Sequence, residues 1–289
     1  MKRWLVIILV VLSTGAALLW WQLRPRYLTV DFFDVGQGDA ELIRTPQGQT
    51  ILIDGGPDKK ILEKLGTALP WADRSLDLVV LSHPHADHVS GLIEVLQRYR
   101  VRRILATGVV HTTPEYIKWL ELIKNKKIPL TVAQAGQRIE FSGGVVLEIL
   151  WPLDSYAGQQ VGDLNATSIV ARLSYGPSSA LFTGDTPREN EQLLLNSGAN
   201  LKAQLLKVAH QGSRTSSSEE FIRAVAPRVA IIPVGRDNRF GHPHAEVVER
   251  LKNLVSQVLR TDRDGDIRFA SNGVVWRRLP LRNSFGMLP

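Results

Sequence analysis

Ser82-His83-Pro84-His85-Ala86-Asp87-His88 stands where a nearly continuous apolar run, Leu76 to Leu81, gives way to a pattern with Val89, Leu92, Ile93 and Leu96 on one face. The run reads as a buried strand, and the spacing after it as a helix over His88 to Tyr99. Three imidazoles and a carboxylate within six positions are costly to strip of water, and a strand end has no packing need for them. Neutral imidazole beside carboxylate is the donor set of zinc, manganese or iron. His83 and His85 are placed to grip one ion from the strand end, and Asp87 and His88 to turn toward a second. The alternative is a histidine-rich surface loop.

Matching partners elsewhere weigh against that alternative. Asp54 follows Ile51-Leu52-Ile53, Asp185 follows Leu181-Phe182-Thr183-Gly184, and His210 follows Leu206-Lys207-Val208-Ala209. Each alone is an ordinary turn residue after a strand. Together with the cluster they point to one chemistry. Of the seven histidines, only His111, His242 and His244 fall outside this set.

The flanking pattern gives the fold class. Leu28 to Phe33 alternates in part, and Glu41 to Arg44 and Thr50 to Ile53 read as a hairpin around Pro46-Gln47-Gly48. Helix-like spacing covers Asp58 to Leu69. Strands follow at Ile169 to Leu173, Ala180 to Phe182, Leu205 to Ala209 and Val229 to Pro233. Ser216 with Glu219 predicts a capping box opening a helix through Val225, and His244 to Leu254 reads as another helix. Short strands near Ile267 to Phe269 and Val274 to Trp276 close the chain. Meanders followed by strand–helix alternation fit an α/β fold with two sheets between helix layers.

The order Asp54, His-x-His-x-Asp-His, Gly-Asp at 185 and His210 resembles the metallo-β-lactamase superfamily. More narrowly, Asp34-Val35-Gly36-Gln37-Gly38-Asp39-Ala40, Leu52-Ile53-Asp54-Gly55-Gly56, His210-Gln211-Gly212-Ser213 and Asn238 with Gly241-His242-Pro243 resemble the extracellular hydrolase domain of ComEC-type DNA-uptake proteins. The resemblance spans roughly residues 28 to 277. It implies a four-layer αββα sandwich and one or two divalent ions, zinc or manganese. His83 and His85 would hold the first ion and Asp87, His88 and His210 the second, with Asp185 bridging them. Asp87 would also orient the attacking water, and Asp54 would orient the histidine loop. Superfamily members with two full sites carry a further histidine about twenty residues before the Gly-Asp. Here Asp163-Leu164-Asn165-Ala166-Thr167-Ser168 occupies that place, so Asn165 is expected to be a weak ligand of the first ion.

Three further positions have two readings each. Ser213, Thr215 and Ser216 precede a predicted helix whose N-terminus could take a phosphate; ordinary capping is the alternative. His242 reads as a substrate or ligand contact or as a turn residue. His111, beside Thr112-Thr113, reads as a loop residue near the cleft mouth or as a substrate contact.

The 289 residues contain no cysteine, which excludes disulfides, thiolate metal sites and cysteine nucleophiles. A formal charge of +7 suits an anionic partner such as nucleic acid, or else an inert basic surface. The expected function is a DNA-directed phosphodiesterase. An exported hydrolase of a small ester, lactone or phosphorylated compound, and a non-catalytic scaffold, are the alternatives.

Lys2 and Arg3 precede an uncharged run from Leu5 to Trp21, bounded by Trp4 and Trp20-Trp21. Residues 1–26 are therefore expected to be an uncleaved transmembrane anchor, with the catalytic part, residues 27–289, outside the cytoplasm. ComEC-type proteins carry their hydrolase beside a multi-span channel, so DNA passage would need a separately encoded channel as partner.

Overall fold

In the computed structural model the described residues are 7, 12–15, 27–70 and 72–280. The first half of the chain runs β1 (Leu28–Phe32), β2 (Glu41–Arg44), β3 (Thr50–Ile53), α1 (Lys60–Ala68), β4 (Ser75–Leu76), β5 (Leu78–Leu81), α2 (Ala86–Arg98), β6 (Arg100–Val101), β7 (Ile104–Ala106), α3 (Pro114–Lys126) and β8 (Leu130–Val132). The second half runs β9 (Arg138–Phe141), β10 (Val145–Trp151), β11 (Val170–Tyr175), β12 (Ser178–Phe182), α4 (Arg188–Asn196), β13 (Leu205–Lys207), α5 (Glu219–Val225), β14 (Val229–Ile232), α6 (Ala245–Leu254) and β15 (Gln257–Arg260). The short helix α7 (Thr261–Asp264) leads into β16 (Ile267–Ser271) and β17 (Trp276–Leu279).

Two sheets result, in the orders β17-β16-β1-β2-β3-β5-β7-β8 and β15-β14-β13-β12-β11-β10-β9, with β4 and β6 paired apart. Side chains alternate across each strand and decide the layers. Leu28, Val30 and Phe32 of β1 meet Leu147, Ala180, Phe182 and Ile231 of the other sheet in the central core. The opposite register of β3 and β5, namely Leu52, Val79 and Leu81, packs on Leu65 of α1, Leu92 of α2 and Trp119 of α3. Leu181 and Leu206 likewise face Leu194 of α4 and Phe221 of α5, and Ala230 and Ile232 face Val247 and Leu251 of α6. Helix, sheet, sheet, helix is the layering that the sequence led us to expect.

Each sheet has an antiparallel half and a parallel half. Strands β3, β5, β7 and β8 are parallel, as are β12, β13, β14 and β15. The carboxyl ends of parallel strands are where open α/β sheets bind ligands. Asp54, His83, Asp185 and His210 all lie just past such ends.

Several expectations are corrected in detail. The run Leu76 to Leu81 is two strands, broken where the Asp77 carboxylate accepts the Thr50 amide at 2.8 Å. Helix α2 begins at Ala86, two residues early, so Asp87 and His88 stand in its first turn. The cap of α5 is Ser218, whose hydroxyl accepts from the Phe221 amide at 3.3 Å. Ser216 instead donates to the carbonyls of Ala209 and Ser213. Buried Glu191 accepts the amides of Ser217 and Ser218 and so fixes this register.

The expected membrane anchor is also corrected. Among the described residues, no helix is long and apolar enough to cross a membrane. Most of Leu5 to Trp21 lies outside the described residues. A membrane-anchored chain with an exported catalytic part is therefore not supported.

Candidate metal centre

Close backbone approach builds the junction that carries the histidines. A Cβ on Gly91 of α2 would sit 1.9 Å from the Gly55 carbonyl oxygen, and one on Gly38 would sit 2.2 Å from the Asp87 carbonyl. Only glycine lets α2 lie this close to the Asp54-Gly55-Gly56 turn and the Val35–Asp39 loop. Hydrogen bonds tie the approach: the Gly55 amide donates to the His88 carbonyl at 2.9 Å, and the Gly91 amide to the Gly56 carbonyl at 3.0 Å.

Asp54, at φ 56°, then anchors the loop. Its Oδ1 accepts the Ser82 amide at 2.7 Å and its Oδ2 the Ser82 hydroxyl at 2.6 Å. Oδ2 also lies 2.8 Å from His88 Nδ1. A carboxylate only accepts, so Nδ1 carries a proton and the Nε2 of His88 is turned to the opposite side.

That Nε2 is buried and has no hydrogen-bond partner. It faces Asp185 Oδ2 at 3.4 Å and Asp87 Oδ2 at 3.6 Å. His210 Nε2 stands 3.7 Å from the same Asp185 oxygen, and His83 Nε2 stands 3.9 Å from it. His83 Nε2 and His85 Nδ1 point at one another at 2.9 Å. Two donors on a tetrahedral ion with bonds of ~2.1 Å are about 3.4 Å apart, so most of these gaps are the size of an ion's edge. The donor set fits a divalent ion: His83, His88 and Asp185 bring their ligand atoms within 4.8 Å of one another, all buried.

Electrostatics agree with the geometry. Burial, with His88 beside it, holds the His83 ring well below the ordinary histidine value, so it is neutral. Burial also lowers His85. Burial alone would lower His88 too, but Asp185, Asp87, Asp54 and Asp39 together push it well above the ordinary value. Burial would raise Asp185, yet His88, His83 and His210 hold it well below the usual carboxylate range.

Sequence reasoning missed Lys207. Its side chain, 1% exposed, donates to the Gly184 carbonyl at 2.7 Å, contacts Asp39, and lies 3.9 Å from Asp185 Oδ1. Burial would lower its pKa, but Asp39, Asp185 and Glu41 outweigh burial and keep it charged. Asp39 is pushed up to about 7 by burial, against the pull of Lys207 and His88. The signal was a lone charge in an apolar strand, at the register position that points inward. A second carboxylate–imidazole cluster, Asp39, Asp54 and His88, is already crosslinked by Ser82 and Lys207 and is not a second free cage.

The remaining candidates divide. His242 sits edge-on to His210 with ring centres 5.4 Å apart, and burial with His210 and His244 lowers its pKa to about 4. Ser213 bonds the Thr215 hydroxyl at 3.0 Å, and Thr215 reaches His210 Nδ1 at 3.4 Å, so this segment props the His210 ring. Asn165 lies in a turn beside Ser168, whose hydroxyl accepts the Asp185 amide at 3.0 Å; its own Oδ1 is buried without a hydrogen-bond partner. His111 lies beside Tyr116, ring centres 6.3 Å apart. Gln211 was not anticipated; its amide donates toward Asp87 and Asp185 at 3.4 and 3.5 Å.

Known proteins resemble this chain in sequence and in fold. The model of the metallo-beta-lactamase superfamily matches residues 33–236. The chain is 29% identical over 257 residues to ComE operon protein 3 of Bacillus subtilis, covering 83% of this chain and 32% of that protein. It is 33% identical over 264 residues to Recombination protein 2 of Haemophilus influenzae, covering 90% and 31%. It is 32% identical over 254 residues to Competence protein ComA of Neisseria gonorrhoeae, covering 86% and 33%. The chain thus spans about a third of the length of these relatives. Among solved structures, the metallo-beta-lactamase fold protein YhfI from Bacillus subtilis superposes with a TM-score of 0.56 at 13% identity, covering 84% of this chain and 100% of that one. Igni18, a metallo hydrolase from Ignicoccus hospitalis, gives 0.53 at 17% identity, covering 83% and 98%.

Proposed function

The chain belongs to the metallo-beta-lactamase superfamily, and from that membership we propose that it is a metal-dependent phosphodiesterase acting on DNA. The observation that carries the reading is the partnerless Nε2 of His88, set between the carboxylates of Asp87 and Asp185 at ion-spanning distances. His83, His85 and Asp185 would hold one divalent ion, zinc or manganese, and Asp87, His88, Asp185 and His210 a second. Asn165, whose buried Oδ1 has no hydrogen-bond partner, would be a weak ligand of the first.

When bound, such ions supply positive charge that polarises a phosphoryl group and acidifies water. Asp54 keeps the His88 tautomer and the Ser82 loop in place. Asp87 is the most exposed of the carboxylates, its side chain 32% accessible, and can accept a proton from an attacking water. Gln211 steadies that carboxylate. Neutral His242, beside His210, can donate to a phosphate oxygen without carrying a charge that would compete with the ions.

DNA as substrate is supported by the formal charge of +7 and by the competence and recombination proteins among the relatives. Similarity to endoribonuclease ysh1 of Aspergillus fumigatus, 27% over 169 residues, fits phosphodiester chemistry. A cavity of about 880 Å³ lies between α1 and α2, with Lys60, Ile93 and Glu94 among its lining, and contains no residue of the cluster. The exposed Asp87 side of the cluster suits an extended strand better than a small enclosed ligand.

The test is cleavage of single-stranded DNA by the full chain loaded with manganese or zinc. Cleavage should vanish in Asp87→Ala and His210→Ala and weaken with salt, log affinity falling by about 0.7 per phosphate contact against log salt. Folded, metal-loaded protein that leaves DNA intact in manganese, magnesium and zinc would defeat the reading and favour a small ester or phosphodiester.

A further inference from the structure

The loop after β14, Val234 to His244, is held unusually firmly for an exposed segment. The Asn238 amide donates to the carbonyls of Gly235 and His242, and its Oδ1 accepts the His242 amide at 3.0 Å. A Cβ on Gly235 would meet the Gln37 amide at 2.5 Å, and one on Gly212 would meet Pro243 at 2.6 Å. The loop is therefore clamped between the Val35–Asp39 loop and the turn that carries His210.

At its tip this clamp presents Phe240 to solvent. The ring is 52% exposed. It is stacked on His242 at 5.8 Å with 26° between planes, and the Arg239 guanidinium lies 5.0 Å from its centre. His242 in turn touches the ring of His210. A line of rings thus runs from His210 through His242 to the surface, with the exposed Arg239 guanidinium against its outer end. An isolated exposed phenylalanine needs no explanation. One on a braced loop, stacked on His242 next to His210 and with an arginine guanidinium against it, has the composition of a base-stacking platform, where aromatic faces take bases and guanidinium groups follow the backbone.

We propose that Phe240, seated on His242 and flanked by Arg239, receives an unpaired nucleobase of a strand whose phosphate lies at the metal cluster. This rests on the reading that nucleic acid is the substrate, and it deepens that reading by assigning a base-binding subsite. A subsite of this kind favours single strands, because a base within a duplex has no free face.

The experiment is fluorescence anisotropy of the metal-loaded full chain with a labelled single-stranded oligonucleotide, and with a sugar-phosphate chain of equal length lacking bases. Phe240→Ala should weaken oligonucleotide binding about tenfold, within the usual range for loss of one stacked base, while Phe240→Trp keeps it. On the baseless chain, wild type and Phe240→Ala should bind alike. Phe240 is exposed, so its truncation does not threaten folding, and equal metal content verifies an intact cluster. Equal oligonucleotide affinity of wild type and Phe240→Ala, or the same loss on the baseless chain, overturns the subsite and leaves the phosphodiesterase reading standing. Phe240-dependent binding without any cleavage upholds the subsite and sinks the phosphodiesterase. A wild type that neither binds nor cleaves overturns both.

Discussion

Asp54 Oδ2 lies 2.8 Å from His88 Nδ1, and the same carboxylate takes both the amide and the hydroxyl of Ser82. One side chain at the end of β3 thereby sets the tautomer of a candidate ligand on α2 and the path of the loop leaving β5. The centre is preorganised by a residue that need not touch an ion.

Asp54→Asn should therefore lower metal affinity by ~10–100-fold, the usual cost of losing such a partner. Asparagine tolerates the left-handed backbone that Asp54 adopts, so the change isolates the carboxylate. Chelator competition would measure it; unchanged affinity would mean that Ser82 and His88 hold their places unaided.

Metal uptake should release protons. His88 is held well above the ordinary histidine value by Asp185, Asp87, Asp54 and Asp39 despite burial, so in the metal-free chain it keeps a proton at neutral pH. A ligating imidazole must shed that proton. Affinity should accordingly fall as pH drops from about 8 to about 6. In the metal-free chain the sign is opposite: stability from charged His88 is present below the unfolded value and is lost as pH rises through the raised folded one. Calorimetry in two buffers of different ionisation enthalpy reads the protons directly, and identical heats would refute the release.

Lys207→Met should destabilise the metal-free chain by ~3–5 kcal/mol, because it leaves Asp39, Glu41 and Asp185 buried without their shared cation. Adding Asp39→Asn should recover part of the loss. Urea denaturation of the three chains would show it; a single variant as stable as wild type would mean that the lysine balances nothing.

Two glycines give a paired test of the α2 approach. Gly91→Ala places a methyl 1.9 Å from the Gly55 carbonyl oxygen and should cost ~1–3 kcal/mol, as overpacking does. Gly66→Ala, in α1 with nothing within 4 Å, should stabilise by ~0.5–1 kcal/mol. Thermal melts that move in the same direction for both would contradict the close contact.

The sequence by itself determined the layers and the junctions. The apolar runs of β3 and β5, buried at every position, are written in the residue order, and the polar residues that follow β3, β5 and β12 mark one end of each sheet. Its reading of Leu5 to Trp21 as an anchor finds no helix long and apolar enough to cross a membrane among the described residues. Other features needed the fold. The strand break at Asp77 depends on Thr50, 27 residues away. The start of α5 depends on Glu191 of α4, which decides between Ser216 and Ser218. Lys207 reads as an interruption of an apolar strand until Asp39, from the loop after β1, and Asp185, past β12, close around it. Local order can specify which face a side chain takes, because that is a property of consecutive bonds. Which distant charges meet on that face is set by how two sheets stack, and only there does burial turn a strand-end lysine into the counter-ion of buried carboxylates.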